Sequence, residues 1–159
     1  MTSEGTDENG LLFEARSQTM VLGLGGFGGE KGPRPPDEPE GAPDWGHDDH
    51  VRAEQAAIYR LSGDRNPLHI DPEAAKRAGF DDVFLHGLCT LGFAARALIA
   101  GPGGGDPARL SAISCRFAKP VMLDAALHTE IWGNAGAARF RTSQGDTVAL
   151  SAGAARFTA

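Results

Sequence analysis

Cysteine is nearly absent: Cys89 and Cys115 are the only two in 159 residues, too few for a disulfide framework. One lies in an apolar helical stretch and the other in an alternating run, so both read as core thiols of a reducing compartment. Long hydrophobic runs are also missing. The most apolar helical stretch has about 14 residues, against the roughly 20 that a bilayer demands. No leader with a basic start and an apolar middle opens the chain, and the closing Arg156-Phe157-Thr158-Ala159 is not a peroxisomal address. A cytoplasmic location is expected. A strong excess of positive charge is lacking too: the net charge is −6. Residues 1–50 hold 11 acids against 3 bases, whereas residues 51–159 hold 10 against 12. That second balance suits a phosphate-bearing small ligand and is too weak for nucleic acid.

Glycine (22) and proline (10) are abundant and crowd into residues 23–46 and 101–107. Residues 1–10 are polar and acidic with nothing to bury, and disorder is expected there. Residues 11–22 alternate, with Phe13, Ala15, Thr19 and Val21 on one side and Glu14, Arg16 and Gln18 on the other, which predicts an isolated strand. A Gly/Pro-rich linker over 23–44 follows. Its Gly23, Gly25 and Gly28 match G-x-G-x-x-G, but Pro33, Pro35 and Pro36 forbid the helix a dinucleotide turn requires, and Glu30 before Lys31 excludes a P-loop. His47-Asp48-Asp49-His50 holds ordinary zinc-ligand types, yet four adjacent side chains do not converge on one ion, so an exposed loop and no metal are expected.

A folded domain is predicted over 45–159. It begins with a helix at 53–61, with Ala57, Ile58 and Leu61 inward and Gly63 just past its end. Asp71 caps a short second helix with Pro72 at its first position, and Gly79 closes it. A third helix opens at Leu85-His86-Gly87 and runs to about Ala100; Thr90 and Arg96 are its strongly polar residues, so most of its circumference should be buried. After GPGGGDP come four strands, around 110–117, 127–131, 139–141 and 147–158, with a turn at Gln144-Gly145-Asp146. The pattern predicts an α+β domain, an antiparallel sheet around one buried helix.

The chemistry concentrates in 59–93, YRLSGDRNPLHIDPEAAKRAGFDDVFLHGLCTLGF. Taken alone, Asp64 is a turn residue and His69 a loop histidine, with Pro67 stiffening the chain between them. The run YRLSGDRNPLHIDP, with AGF and LHGLC after it, resembles the hydratase 2 motif of (R)-specific enoyl-CoA hydratases, in the MaoC-like branch of the hot-dog fold. Asp82-Val83-Phe84 stands where family members usually carry a proline. The resemblance covers about residues 11–158 and corresponds to the second, catalytic half of two-module members plus the last strand of the first half. A similar GGFGG segment joins the halves in those members.

The resemblance implies that Asp64 and His69 are the catalytic pair, that Asn66 orients them, and that Gly87 supplies the oxyanion-hole N–H. It further implies that Arg65, Pro67, Leu68, Phe117 and Lys119 contact the substrate, with the Phe117 backbone on the coenzyme A arm; Arg116 and Lys119 suit its phosphates and, equally well, a solvated strand end. Thr90 and Arg96 receive no role, and His86 is read as fixing the turn. Such residue types fit the reaction: water must add at C3 of an enoyl thioester and a proton at C2, and a carboxylate with an imidazole can move both protons. The implied activity is hydration of trans-2-enoyl-CoA to (R)-3-hydroxyacyl-CoA, without metal or cofactor, coenzyme A entering as part of the substrate. A 3-hydroxyacyl dehydratase acting on carrier-protein or coenzyme A thioesters, or an inactive acyl-CoA-binding half, are the alternatives. Thioesterases of the same fold lack the Asp-x-Asn-x-x-His loop. The expected partner is a second copy in a homodimer, or a first hot-dog module.

Overall fold

A computed structural model describes residues 1–159 apart from 20, 22, 30–35 and 38. The chain divides into two compact units, Met1–Arg34 and Pro35–Ala159.

The first unit is a hairpin of β1 (Thr2–Asp7) and β2 (Gly10–Arg16). Residues 1–10 therefore do not form the disordered tail expected from their polarity. The backbone supplies the pairing: Asp7 Oδ1 accepts from the Asn9 N–H at the turn, and Gly10 takes φ +123°. Gly5 is paired with Phe13, and a Cβ there would lie 2.2 Å from the ring, so glycine lets the aromatic cross the ribbon. The strand expected over 11–22 ends at Arg16; Met20 and Leu22 lie outside the described residues. Leu11, Leu12 and Phe13 are exposed.

The second unit starts before the expected boundary at 45. Arg139 donates to the Asp37 carbonyl, Trp132 Nε1 to the Gly41 carbonyl, and the Asp44 side chain accepts from the Gly133 N–H. These bonds tie Asp37, Gly41 and Asp44 to the domain. Among the described residues no helix lies between Arg16 and Trp45, in keeping with the failed nucleotide motif.

The domain comprises β3 (Trp45–Val51), α1 (Gln55–Tyr59), α2 (Pro72–Arg77), α3 (Gly87–Ala100), β4 (Leu110–Phe117), β5 (Ala125–Gly133), β6 (Ala137–Gln144) and β7 (Thr147–Phe157). All five strands form one antiparallel sheet in the order β3-β5-β6-β7-β4. The His47–His50 stretch is thus an edge strand and not a loop. Its period of two turns Asp48 and His50 outward, while Asp49 is nearly buried, ion-paired with Arg96 of α3 and 3.6 Å from His47 Nε2. The polar composition hid the alternation, because the partner of Asp49 is 47 residues away.

Helix α3 packs on the sheet through small residues. Ala94, Ala97 and Leu98 meet Ile131, Phe140, Leu150 and Phe157 in one core cluster. A second cluster joins Val51, Leu85, Cys89, Val121, Leu127 and Ala149. Only one side of α3 is buried, however: Leu88, Gly92, Arg96 and Ala100, four residues apart, face outward. In α1 the expected phase is also shifted. Ala56 is the buried residue and Tyr59 is half-buried, leaving Ala57, Ile58 and Leu61 exposed, because a five-residue helix follows its two anchors rather than its largest side chains. Burial pushes the Cys115 thiol up to about 11 and raises Cys89 as well, so both are neutral core groups.

Candidate active site

The loop between α1 and α2 is built by successive caps. A single 3-10 turn, 60–62, ends at Gly63 with φ +117°, the left-handed conformation that favours glycine. That turn swings Asp64 out of the helix. Its Oδ1 accepts from the Asn66 N–H, and Asn66 Oδ1 accepts from the Leu68 N–H, capping a second 3-10 turn over 67–69 with Pro67 at its start. His69 closes that turn. Asp71 then caps α2 by accepting from the Glu73 N–H. Six residues thus fix a carboxylate and an imidazole relative to one another. Arg60 clamps the loop from beneath by donating to the Arg65 carbonyl.

His69 is buried, and its Nδ1 lies 2.8 Å from the Phe84 carbonyl oxygen. A carbonyl only accepts, so Nδ1 carries a proton, and in the neutral ring the lone pair is on Nε2. The Phe84 ring also meets the His69 ring edge-on, at 4.9 Å between centroids. On its other side His69 stacks on His86 at 3.8 Å with 29° between planes. His86 is 1% exposed, and its Nε2 lies 3.3 Å from the Asp64 carbonyl oxygen. Burial and the neighbouring His69 lower its pKa, against the opposing pull of Asp64. Tyr59 packs on His86 at 4.9 Å, and its phenol pKa is raised, chiefly by burial and then by Cys89 and Asp64. Asp64, His69 and His86 offer one ligand atom each within 4.8 Å of one another, and they form the one such group of potential metal donors among the described residues.

His86 is also the residue before α3, whose N-terminus has no side-chain cap. Uncapped first-turn N–H groups and the helix dipole favour negative charge at Gly87. A groove of about 300 Å³ opens there, lined by Phe80, Phe84, Gly87, Thr90, Phe117 and Lys119, among others. A Cβ on Gly87 would sit 3.2 Å from the Phe117 ring, so glycine keeps this end of the groove open.

The structure therefore brings Asp64, Asn66 and His69 together on one loop, with Gly87, Phe117 and Lys119 along the groove. None of Asp64, Arg65, Asn66, Pro67, Leu68 and His69 lines the groove wall itself, and Pro67 and Leu68 belong to the turn that carries His69. Arg116 is exposed and does not line the groove either. Thr90, unassigned from the sequence, lines the groove and hydrogen-bonds the His86 carbonyl. Sequence reasoning missed Phe84, whose carbonyl holds His69 while its ring lines the groove. A backbone acceptor leaves no side-chain signal; the one hint was the non-proline sequence Asp82-Val83-Phe84. It also placed His86 in the turn alone and not against His69.

A family model described as "MaoC like domain" matches residues 36–154. Among curated proteins, the chain is 51% identical over 140 residues to 3-hydroxyacyl-thioester dehydratase Y of Mycobacterium tuberculosis, covering 85% of this chain and 48% of that protein. It is 44% identical over 146 residues to peroxisomal multifunctional enzyme type 2 of Drosophila melanogaster, covering 88% of this chain and 24% of that one. The chain thus spans half or less of the length of these relatives. The solved structure of the full-length Drosophila enzyme superposes with a TM-score of 0.87 at 38% identity, over 99% of this chain and 30% of that chain. A MaoC-like dehydratase from Phytophthora capsici superposes with a TM-score of 0.85 at 34% identity, over 99% and 55% of the two chains. The five-stranded sheet around α3 is accordingly the hot-dog fold, and the chain belongs to the MaoC-like domain family.

Proposed function

We propose that the chain is a hydro-lyase that adds water to trans-2-enoyl-CoA to give (R)-3-hydroxyacyl-CoA, reversibly. One observation carries the reading: a carboxylate and an imidazole with a bare Nε2 are fixed on one loop beside an uncapped helix N-terminus. In this reaction a water held between Asp64 and His69 bonds through oxygen to C3. The pair accepts one proton from that water and delivers one to C2, so the net change is the addition of one water. The thioester oxygen gains charge meanwhile and is met by the Gly87 N–H, a kind of donor worth roughly 3 kcal/mol of barrier. Because both protonic groups lie on one loop, oxygen and proton reach the same face of the double bond. Asn66 acts by holding the loop, and Phe117 and Lys119 along the groove suit the coenzyme A arm.

The same chemistry run backwards is a 3-hydroxyacyl-thioester dehydratase, the activity in the name of the Mycobacterium relative, and this is the second reading. Neither direction needs a metal or cofactor. The three potential donors are read as a proton-transfer site instead: the two imidazoles stack at 3.8 Å, and each already has one ring nitrogen on a backbone carbonyl oxygen. A partner module completes the substrate tunnel, either a second copy or a first hot-dog module. Exposed Ile58, Leu61, Leu88 and Phe117 around the site support that pairing.

The test is loss of enoyl absorbance with short- and medium-chain trans-2-enoyl-CoA, followed by resolution of the product's stereochemistry, with and without EDTA. An (R) product and indifference to EDTA are expected. An (S) product, or activity that zinc restores after chelation, overturns the proposal.

A further inference from the structure

His86 lies one residue from the helix N-terminus, but its ring belongs to the catalytic loop. Nε2 faces the Asp64 carbonyl oxygen at 3.3 Å, which makes Nε2 the protonated nitrogen. Nδ1 is buried and has no hydrogen-bond partner among the described residues. A proton on Nδ1 would create a buried cation whose new N–H faces no acceptor, with His69 stacked against it and Arg60 nearby as a further positive group. Asp64, through its backbone and its charge, is the one neighbour favouring that proton. The ring is wedged between Tyr59 and His69, and the Thr90 hydroxyl donates to the His86 carbonyl, so neither ring nor backbone is free to turn. Nothing in the hydration chemistry uses this side chain directly.

We propose that His86 is a positioning residue, an uncharged imidazole that spaces the two protonic groups of the site. It holds the backbone of Asp64 through Nε2–H while its face sets the plane of His69. It also occupies the N-cap position of α3, so the same residue relates the acid–base pair to the Gly87 N–H. A displacement of about 1 Å at a reacting group can cost roughly 10²-fold in rate, which sets the scale of its effect. The inference rests on the hydration reading.

The experiment compares His86→Phe, which keeps a stacked ring and loses the donor, with His86→Gln, which keeps an N–H donor at similar reach. With crotonyl-CoA, kcat of His86→Phe should fall by roughly 10²-fold with KM changed less than about twofold, while His86→Gln stays within about tenfold of wild type. Wild-type kcat in His86→Phe, or an equal loss in both variants, overturns the proposal. A long-range ¹H–¹⁵N spectrum of the wild-type protein at about pH 6, below the ordinary histidine value of about 6.5, should show His86 protonated on Nε2 alone. A proton on Nδ1 overturns it, even if neither variant folds. If the wild-type protein hydrates no enoyl-CoA, the functional reading fails, and the spectrum still decides the state of His86.

Discussion

Asp64 and His69 differ in how they are held, and this sets what their removal should do. Asp64 is exposed and accepts one backbone N–H, whereas His69 is buried between Phe84 and His86. Asp64→Asn keeps the loop acceptor, so a loss of hydration of at least about 10²-fold should come with an unchanged melting temperature. His69→Ala should lose as much activity and also destabilise the fold by about 1–3 kcal/mol, because the Phe84 carbonyl loses its partner. Near-normal turnover in either variant would count against the pair. His86 adds a pH dependence whose sign follows from its lowered pKa. Between the unfolded value of about 6.5 and the lower folded one, the unfolded chain binds more protons than the native one. Stability is therefore full above about pH 6.5, falls as the pH drops below it, and levels once the folded group titrates. Urea midpoints taken between about pH 5 and 7.5 should show this slope, and His86→Gln should flatten it.

The elements are held by a few contacts that admit no substitute. On β7, a Cβ on Gly153 would lie 2.3 Å from the Phe140 carbonyl oxygen and 2.7 Å from its ring. The Thr129 and Thr142 hydroxyls meet at 3.0 Å in a buried pair between β5 and β6. Thr142→Val strands the Thr129 hydroxyl and should cost about 1–3 kcal/mol in denaturant unfolding, whereas the double change to valine should recover part of that. Wild-type stability in the single variant would show that the hydroxyl pair contributes nothing. Elements with strong local signals were legible in the sequence. Asp71-Pro72 and Gly79 bound α2, Leu127, Thr129 and Ile131 form the inner face of β5, and α3 begins at Gly87. What the sequence concealed depends on partners far along the chain. Strand β3 looks like a charged loop until Asp49 meets Arg96, and β1 looks unstructured until β2 pairs with it. The loop from Asp64 to His69 was legible because its geometry is local; the tautomer of His69 was not, because it is set by a carbonyl 15 residues away.

At the scale of the whole molecule, the large apolar side chains that the second unit leaves exposed include several around the Asp64–His69 loop and the start of α3. Leu61 is 85% exposed, Leu88 63% and Ile58 50%. If two copies of the domain cover these residues, deletion of residues 1–40 should leave the mass measured by light scattering that of a dimer. If the hairpin exchanges between copies, the same deletion should yield monomers. Fully active monomers in dilute solution would exclude both arrangements. The exposed rim also has a kinetic consequence. A site that is finished by a second chain obeys mass action, so specific activity becomes a property of protein concentration. It should decline below the dissociation constant of the pair, with a lag after dilution or mixing while the two populations re-equilibrate.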